Sequence, residues 1–138
     1  MITIQFRKVL FALLIITSIP CTAIAALEDG VSAYKRQDFD AAYREFMLLA
    51  QDGDARVQAV LGLMHGNGQG VPLDYKEAAK WYRLAADQGH VGAQTSLGLM
   101  YAEGQGVSED DKEAAKWYRL AADQGHAVAQ FLLGGLYA

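Results

Sequence analysis

The sequence predicts an all-α fold, an α/α solenoid of about three stacked units, each an antiparallel helix pair. The 15-residue run from Lys76 to His90, KEAAKWYRLAADQGH, recurs letter for letter from Lys112 to His126, 36 residues later. Within each copy the apolar side chains fall at helical spacing. Between the helical stretches stand glycines, as at Gly89 and in Gly104-Gln105-Gly106, where a helix must stop. A unit of this length cannot bury its own apolar face, so the copies must stack and cover one another.

The thirty-six-residue shift extends beyond the identical blocks. Gly53 aligns with Gly89 and Gly125, Gln58 with Gln94 and Gln130, Leu61-Gly62 with Leu97-Gly98, and Met64 with Met100. Gly68-Gln69-Gly70-Val71 aligns with Gly104-Gln105-Gly106-Val107. The units therefore run over residues 38–73, 74–109 and 110–138, the third stopping before its glycine loop.

In the second unit, 100° steps put Ala78, Trp81, Tyr82, Ala85 and Ala86 on one side of a helix and Lys76, Lys80, Arg83 and Asp87 on the other. Asp74 is placed to cap its start, with Glu77 three residues on as in a capping box, and Gly89 fits the left-handed position after its end. The second helix follows at once, with Ala93, Leu97, Met100 and Tyr101 at helical spacing. Glycine on that apolar face costs about 1 kcal/mol against alanine. Its return as Gly62, Gly98 and Gly134 therefore implies a close contact. Glu103-Gly104-Gln105-Gly106-Val107 then turns the chain, with Val71 and Val107 expected to fill the space beneath the turn.

The chain begins differently. Arg7 and Lys8 precede the apolar run Val9 to Ile16, and Ala23-Ile24-Ala25 supplies small residues where a signal peptidase reads, so residues 1–25 read as a secretory signal peptide cleaved before Ala26. The apolar run is too short, and too soon broken by Pro20, for a permanent membrane anchor. Pro20 also stands where an acylated Cys21 would need a small residue before it. Cleavage removes Cys21, the single cysteine, so no disulfide framework holds the exported chain. It leaves 113 residues with 10 basic and 16 acidic side chains, a balance that argues against nucleic acid as a partner. Residues 26–37 read as a short helix covering the open end of the first unit. At the other end, Phe131, Leu132, Leu133, Leu136 and Tyr137 leave an apolar surface through which copies could self-associate.

On these residues the chain resembles the Sel-one-like repeat (SLR) family, relatives of the tetratricopeptide repeats. The matching pattern is Ala79-x-Trp81-Tyr82-x-x-Ala85-Ala86-x-x-Gly89, then Ala93-Gln94-x-x-Leu97-Gly98-x-Met100-Tyr101-x-x-Gly104-x-Gly106-Val107. The first unit departs from it, with Glu45 at the Trp81 position, Met47 at Arg83, Val57 at Ala93 and His65 at Tyr101. The resemblance implies a right-handed superhelix of antiparallel helix pairs that scaffolds protein complexes, and the chain reads as a binding module with no cofactor and no chemistry of its own. For exported bacterial members it implies periplasmic roles in envelope signalling or assembly.

Lys76, Lys80 and Arg83, repeated as Lys112, Lys116 and Arg119, form basic stripes on an acidic protein. One reading is a surface for an acidic partner segment, with Lys80, Trp81, Arg83, Lys116, Trp117 and Arg119 as contacts. The other is a solvated face, partly neutralised by Asp87 and Asp123, with both tryptophans in the core. Gln94 and Gln130 are placed to tie a neighbouring backbone group. His90 and His126 stand at helix junctions, too isolated to ligate a metal. Gly66-Asn67-Gly68-Gln69-Gly70 has no strand before it and no Gly-Lys-Ser/Thr after it, unlike a phosphate loop. Ser32-x-x-Lys35 matches one element of penicillin-recognising enzymes, which gives the alternative of a penicillin-binding or cell-wall-directed enzyme, but the accompanying Ser-Asp-Asn and Lys-Thr-Gly are missing.

Overall fold

The computed structural model of the chain describes residues 21–138 as seven helices, with no strand among them. They are α1 (Cys21–Lys35), α2 (Phe39–Gln51), α3 (Ala55–Asn67), α4 (Tyr75–Asp87), α5 (Val91–Glu103), α6 (Asp111–Asp123) and α7 (Ala127–Leu136). Helices α2/α3, α4/α5 and α6/α7 are the three pairs, and they stack as a helical-repeat solenoid. The Arg7–Ile16 segment of the expected leader lies outside the described residues. Helix α1 begins earlier than the expected residue 26, running without a break through Ala23-Ile24-Ala25.

Local chemistry sets the helix ends. The Asp74 carboxylate accepts hydrogen bonds from the N–H groups of Lys76 (2.9 Å) and Glu77 (3.1 Å), and Asp110 does the same for Lys112 and Glu113. The capping box is only half made. Glu77 reaches forward to the Lys80 ammonium at 2.7 Å instead of back to the cap, because the ion pair one turn on is open to it. His90 caps α5 by accepting from Ala93 N–H at its Nδ1 (3.1 Å), as Asp54 caps α3 through Arg56 N–H (2.9 Å). Gly104 ends α5 at φ 64, and Gly106, at φ 69, lies against the Tyr75 carbonyl, where a side chain has no room.

The most extensive helix contacts join the second helix of one unit to the first of the next: α3 to α4 and α5 to α6, with α1 to α2 of the same kind. At each of these a glycine faces an aromatic ring. A Cβ on Gly62 would stand 2.7 Å from the Tyr82 ring, one on Gly98 2.6 Å from the Tyr118 ring, and one on Gly30 2.7 Å from the Phe46 ring. Helix α1 thus plays the part of the second helix of a preceding unit. Around these contacts lie the fully buried Leu61, Met64, Leu97, Ala78, Ala85, Ala93, Ala114 and Ala121. Gly134 differs: nothing among the described residues lies within 4 Å of its would-be Cβ.

Gln58 and Gln94 are buried, and their side-chain amides donate to the carbonyls of Ala50 (3.3 Å) and Ala86 (3.2 Å), closing each helix pair. Val107 packs on the core formed by the second and third units.

Gly98→Ala is expected to lower stability in urea melts by about 1–3 kcal/mol, the cost of overpacking, although alanine is the better helix former. Gly134→Ala is expected to be neutral or to gain up to about 1 kcal/mol. Equal effects at the two sites contradict the close-contact account. Acid is expected to weaken the fold. The Arg56 side chain, by hydrogen bond, and the backbone N–H groups hold the Asp54 carboxyl below its ordinary value, and the Glu77 and Lys76 N–H groups do so for Asp74. A folded-state pKa below the unfolded one gives stability that is present above the ordinary value and lost as pH falls through the lowered one. Thermal midpoints should therefore fall below about pH 4, and less steeply in Asp54→Asn; a slope unchanged by that substitution goes against this origin.

Candidate protein-binding surface

The basic stripe of the first helices divides in two. Lys80 and Lys116 stand in solvent, paired with Glu77 (2.7 Å) and Glu113 (3.4 Å) rather than balanced by Asp87 and Asp123. Exposed pairs of this kind contribute about 0–1 kcal/mol and are readily exchanged for a partner's carboxylate. The arginines are engaged within the fold. Arg83 donates to the Tyr101 hydroxyl, and its guanidinium lies over the Tyr101 ring and over the Trp117 ring, 5.6 Å from each centroid. It thereby links α4, α5 and α6. Arg119 donates to Tyr137 Oη at 3.1 Å and has no indole beyond it.

Trp117 is 4% exposed and belongs to the core. The expectation of a tryptophan at the margin of an open surface is corrected here for Trp117: it lies in the core, with the Arg83 guanidinium over its ring and the Lys116 ammonium 5.2 Å from its ring centroid. Trp81 is partly buried and packs on the core of the first unit. Both indole N–H groups are buried without an acceptor, so neither ring offers its polar edge to a ligand. Burial raises the Tyr118 pKa, as does the Glu103 charge nearby, and burial raises that of Tyr82.

In the first unit, where Met47 and His65 stand at the positions of Arg83 and Tyr101, His65 meets Tyr43 instead. His65 is buried, its Nε2 is 3.3 Å from the Tyr43 hydroxyl, and the two rings meet edge to face at 5.6 Å.

What remains open on the first helices is a ladder that sequence reasoning did not single out. Leu48, Leu84 and Leu120 occupy the same position of α2, α4 and α6 and are 61%, 48% and 42% exposed. One turn before each stands an exposed cation, Arg44, Lys80 or Lys116. The signal was present as a thirty-six-residue spacing of leucines that fall outside the apolar face. On the second helices, Leu63 and Leu99 flank a shallow cleft of about 210 Å³ whose lining includes Tyr82 and Ser96.

Other candidates fare differently. Ser32 and Lys35 are both exposed on α1, with no sheltered pocket in which a lysine could activate a serine. Residues 68–70 and 104–106 are inter-unit turns, while Gly66 and Asn67 are the last residues of α3. Among the described residues no group of three or more His, Cys, Asp or Glu could hold a metal ion, and no helix is long and apolar enough to cross a membrane.

The sequence model of the Sel1 repeat matches residues 55–90 and 91–126, in the same thirty-six-residue period but framed from the second helix of each pair. The chain belongs to the Sel1 repeat family. Among solved structures it is similar to a Sel1 repeat protein from Oxalobacter formigenes, with 37% identity and a TM-score of 0.74, over 78% of this chain and 44% of that one. It is also similar to an SLR-fold protective antigen present in uropathogenic Escherichia coli strains, with 42% identity and a TM-score of 0.80, over 83% of this chain and 26% of that one. Helicobacter pylori cysteine rich protein B shares the fold, with 19% identity and a TM-score of 0.66, over 85% of this chain and 98% of that one. The chain thus spans less than half the length of the Oxalobacter and Escherichia proteins. No curated protein matches it. Proteins built of Sel1 repeats are in general scaffolds for protein interaction, and the fold is typically non-enzymatic.

Replacing Arg83 by Leu is expected to cost about 1 kcal/mol in urea melts, the sum of a hydrogen bond and a cation–π contact offset by new apolar area. Arg119→Leu should stay within about 0.5 kcal/mol, as surface changes do. Equal costs contradict the bridging role of Arg83.

Proposed function

We propose that this Sel1 repeat protein is an exported scaffold that holds a protein partner on the face of its first helices, in the periplasm, in envelope signalling or assembly. The ladder of Leu48, Leu84 and Leu120 beside Arg44, Lys80 and Lys116 carries the reading. Three apolar side chains at one-unit spacing, each next to a cation, suit a partner segment that alternates apolar and acidic residues. Leucine supplies the contact area, and the cations select against basic sequences. Of the residues first considered as contacts, Lys80 and Lys116 keep that role. Arg83, Trp81 and Trp117 shape the helices that present them, and the exposed Arg119 is held by Tyr137.

Export rests on the Arg7-Lys8 charge, the Val9–Ile16 run and the Ala23-x-Ala25 site. The description of the similar Escherichia coli protein as a protective antigen supports exposure outside the cytoplasm. Mass determination of the chain from a periplasmic fraction should give a product beginning at Ala26; a full-length chain retained in the cytoplasm contradicts export.

The binding face is tested by pull-down from envelope extract with the native chain and with Leu84→Glu/Leu120→Glu. Recovery of the native partner is expected to fall at least tenfold with the thermal melt unchanged. Undiminished capture places the partner elsewhere.

A further inference from the structure

The first helices present three rows of side chains to solvent. Arg44, Lys80 and Lys116 form the first row and Leu48, Leu84 and Leu120 the second. A third row of carboxylates follows: Asp87 and Asp123 close α4 and α6, and Asp52 stands at the cap of α2. The leucines are thus bordered by cations on one edge and by acids on the other. These rows run along the side of the stack, where a preceding or following unit would lengthen them and cover none. Lys80 and Lys116 are paired only with Glu77 and Glu113 of their own helices. Among the described residues Asp52, Asp87 and Asp123 pair with no cation.

Such a face is complementary to itself. Turned about a twofold axis that runs along the leucine row, a second copy lays each first helix antiparallel on its counterpart, so that leucine meets leucine. Lys80, four residues before Leu84, then faces Asp87 and Gln88, three and four residues after it. Lys116 faces Asp123 and Gln124 in the same way about Leu120, and Arg44 faces Asp52 about Leu48. Asp40, Lys76 and Lys112, a further turn back, fall past the ends of the facing helices, which close at Gln51, Asp87 and Asp123. A twofold axis laid along the helices instead would set cations on cations, which is unfavourable.

We propose that this face joins two copies of the chain in a twofold dimer, through the leucine row and the pairs Arg44–Asp52, Lys80–Asp87 and Lys116–Asp123, each made twice. The proposal rests on the reading of the leucine ladder as a protein-binding face and names its occupant. The neighbouring apolar and acidic residues that the ladder asks of a partner are present on the second copy as Leu84 with Asp87 and Leu120 with Asp123. Three helices each about 20 Å long and about 10 Å across offer about 600 Å² per copy, near the lower end for a specific dimer. The dimer therefore forms and dissolves with concentration, and salt weakens it by screening the charged rows.

The test is sedimentation equilibrium over a range of concentrations, on the full chain and on variants changed only at exposed residues. The native chain is expected to show a monomer–dimer equilibrium. Lys80→Glu/Lys116→Glu, which sets acid on acid, and Asp87→Lys/Asp123→Lys, which sets base on base, should each weaken the dimer at least tenfold with the thermal melt unchanged. Mixed in equal amounts, these two variants should form a one-to-one dimer of native affinity, because each altered row again faces the opposite charge. A chain that stays monomeric at every concentration overturns the proposal. So does a dimer that the charge variants leave intact, or one that their mixture fails to restore. If the chain never dimerises but Leu84→Glu/Leu120→Glu still loses the partner recovered from envelope extract, the second copy is excluded and the ladder stands as a binding face; failure of both tests overturns both.

Discussion

The fold depends on one contact made three times: a helix glycine pressed against an aromatic ring of the following helix. Gly30 with Phe46, Gly62 with Tyr82 and Gly98 with Tyr118 set how closely each unit approaches the next, and a methyl group in any of them would collide with the ring. Glycine in a helix is unfavourable by itself, so its benefit lies in the area that closer approach buries on both helices. Alanines line the same junctions for the same reason, and Ala78, Ala85, Ala93, Ala114 and Ala121 have no exposed surface at all. The core is a row of tightly spaced small side chains with a large ring in each gap.

That spacing decides which side chains are left for recognition. Once the rings and alanines are inward, Arg83 falls within reach of Tyr101 and Trp117 and is drawn into the structure, whereas Lys80 and Leu84 face out. The result is a frame with a cation and a leucine on the first helix of each of the three units. Such a frame can be specific, because the distance between rungs is fixed by packing and a partner's side chains must match it.

The period, the helix caps and the glycine turns were legible in the sequence because each has a local cause: a carboxylate before a first turn, a left-handed glycine after a last one. Gly62 and Gly98 were legible as close contacts from their placement on an apolar face. The role of α1 was only partly so. Eight residues separate Gly30 from the cap Asp38 whereas twelve separate Gly62 from Asp74, and Gln37 takes the positive φ of 64 in that shorter connection, so the thirty-six-residue comparison passes over it. The bonds of Arg83 to Tyr101 and Trp117 were not legible, because those partners lie on two other helices and nothing within α4 reveals them. The leucine ladder was missed for the opposite reason: a single exposed leucine is ordinary, and only its recurrence at Leu48, Leu84 and Leu120 gives it meaning.

The most direct test of the glycine–ring contact is a double-mutant cycle in urea between Gly98→Ala and Tyr118→Leu. If ring and glycine are fitted to one another, the smaller leucine makes room for the alanine methyl, and the double variant is more stable than the sum of the single losses by about 1 kcal/mol or more. Strict additivity contradicts the account, because it means that the glycine is there for a reason unconnected with the ring.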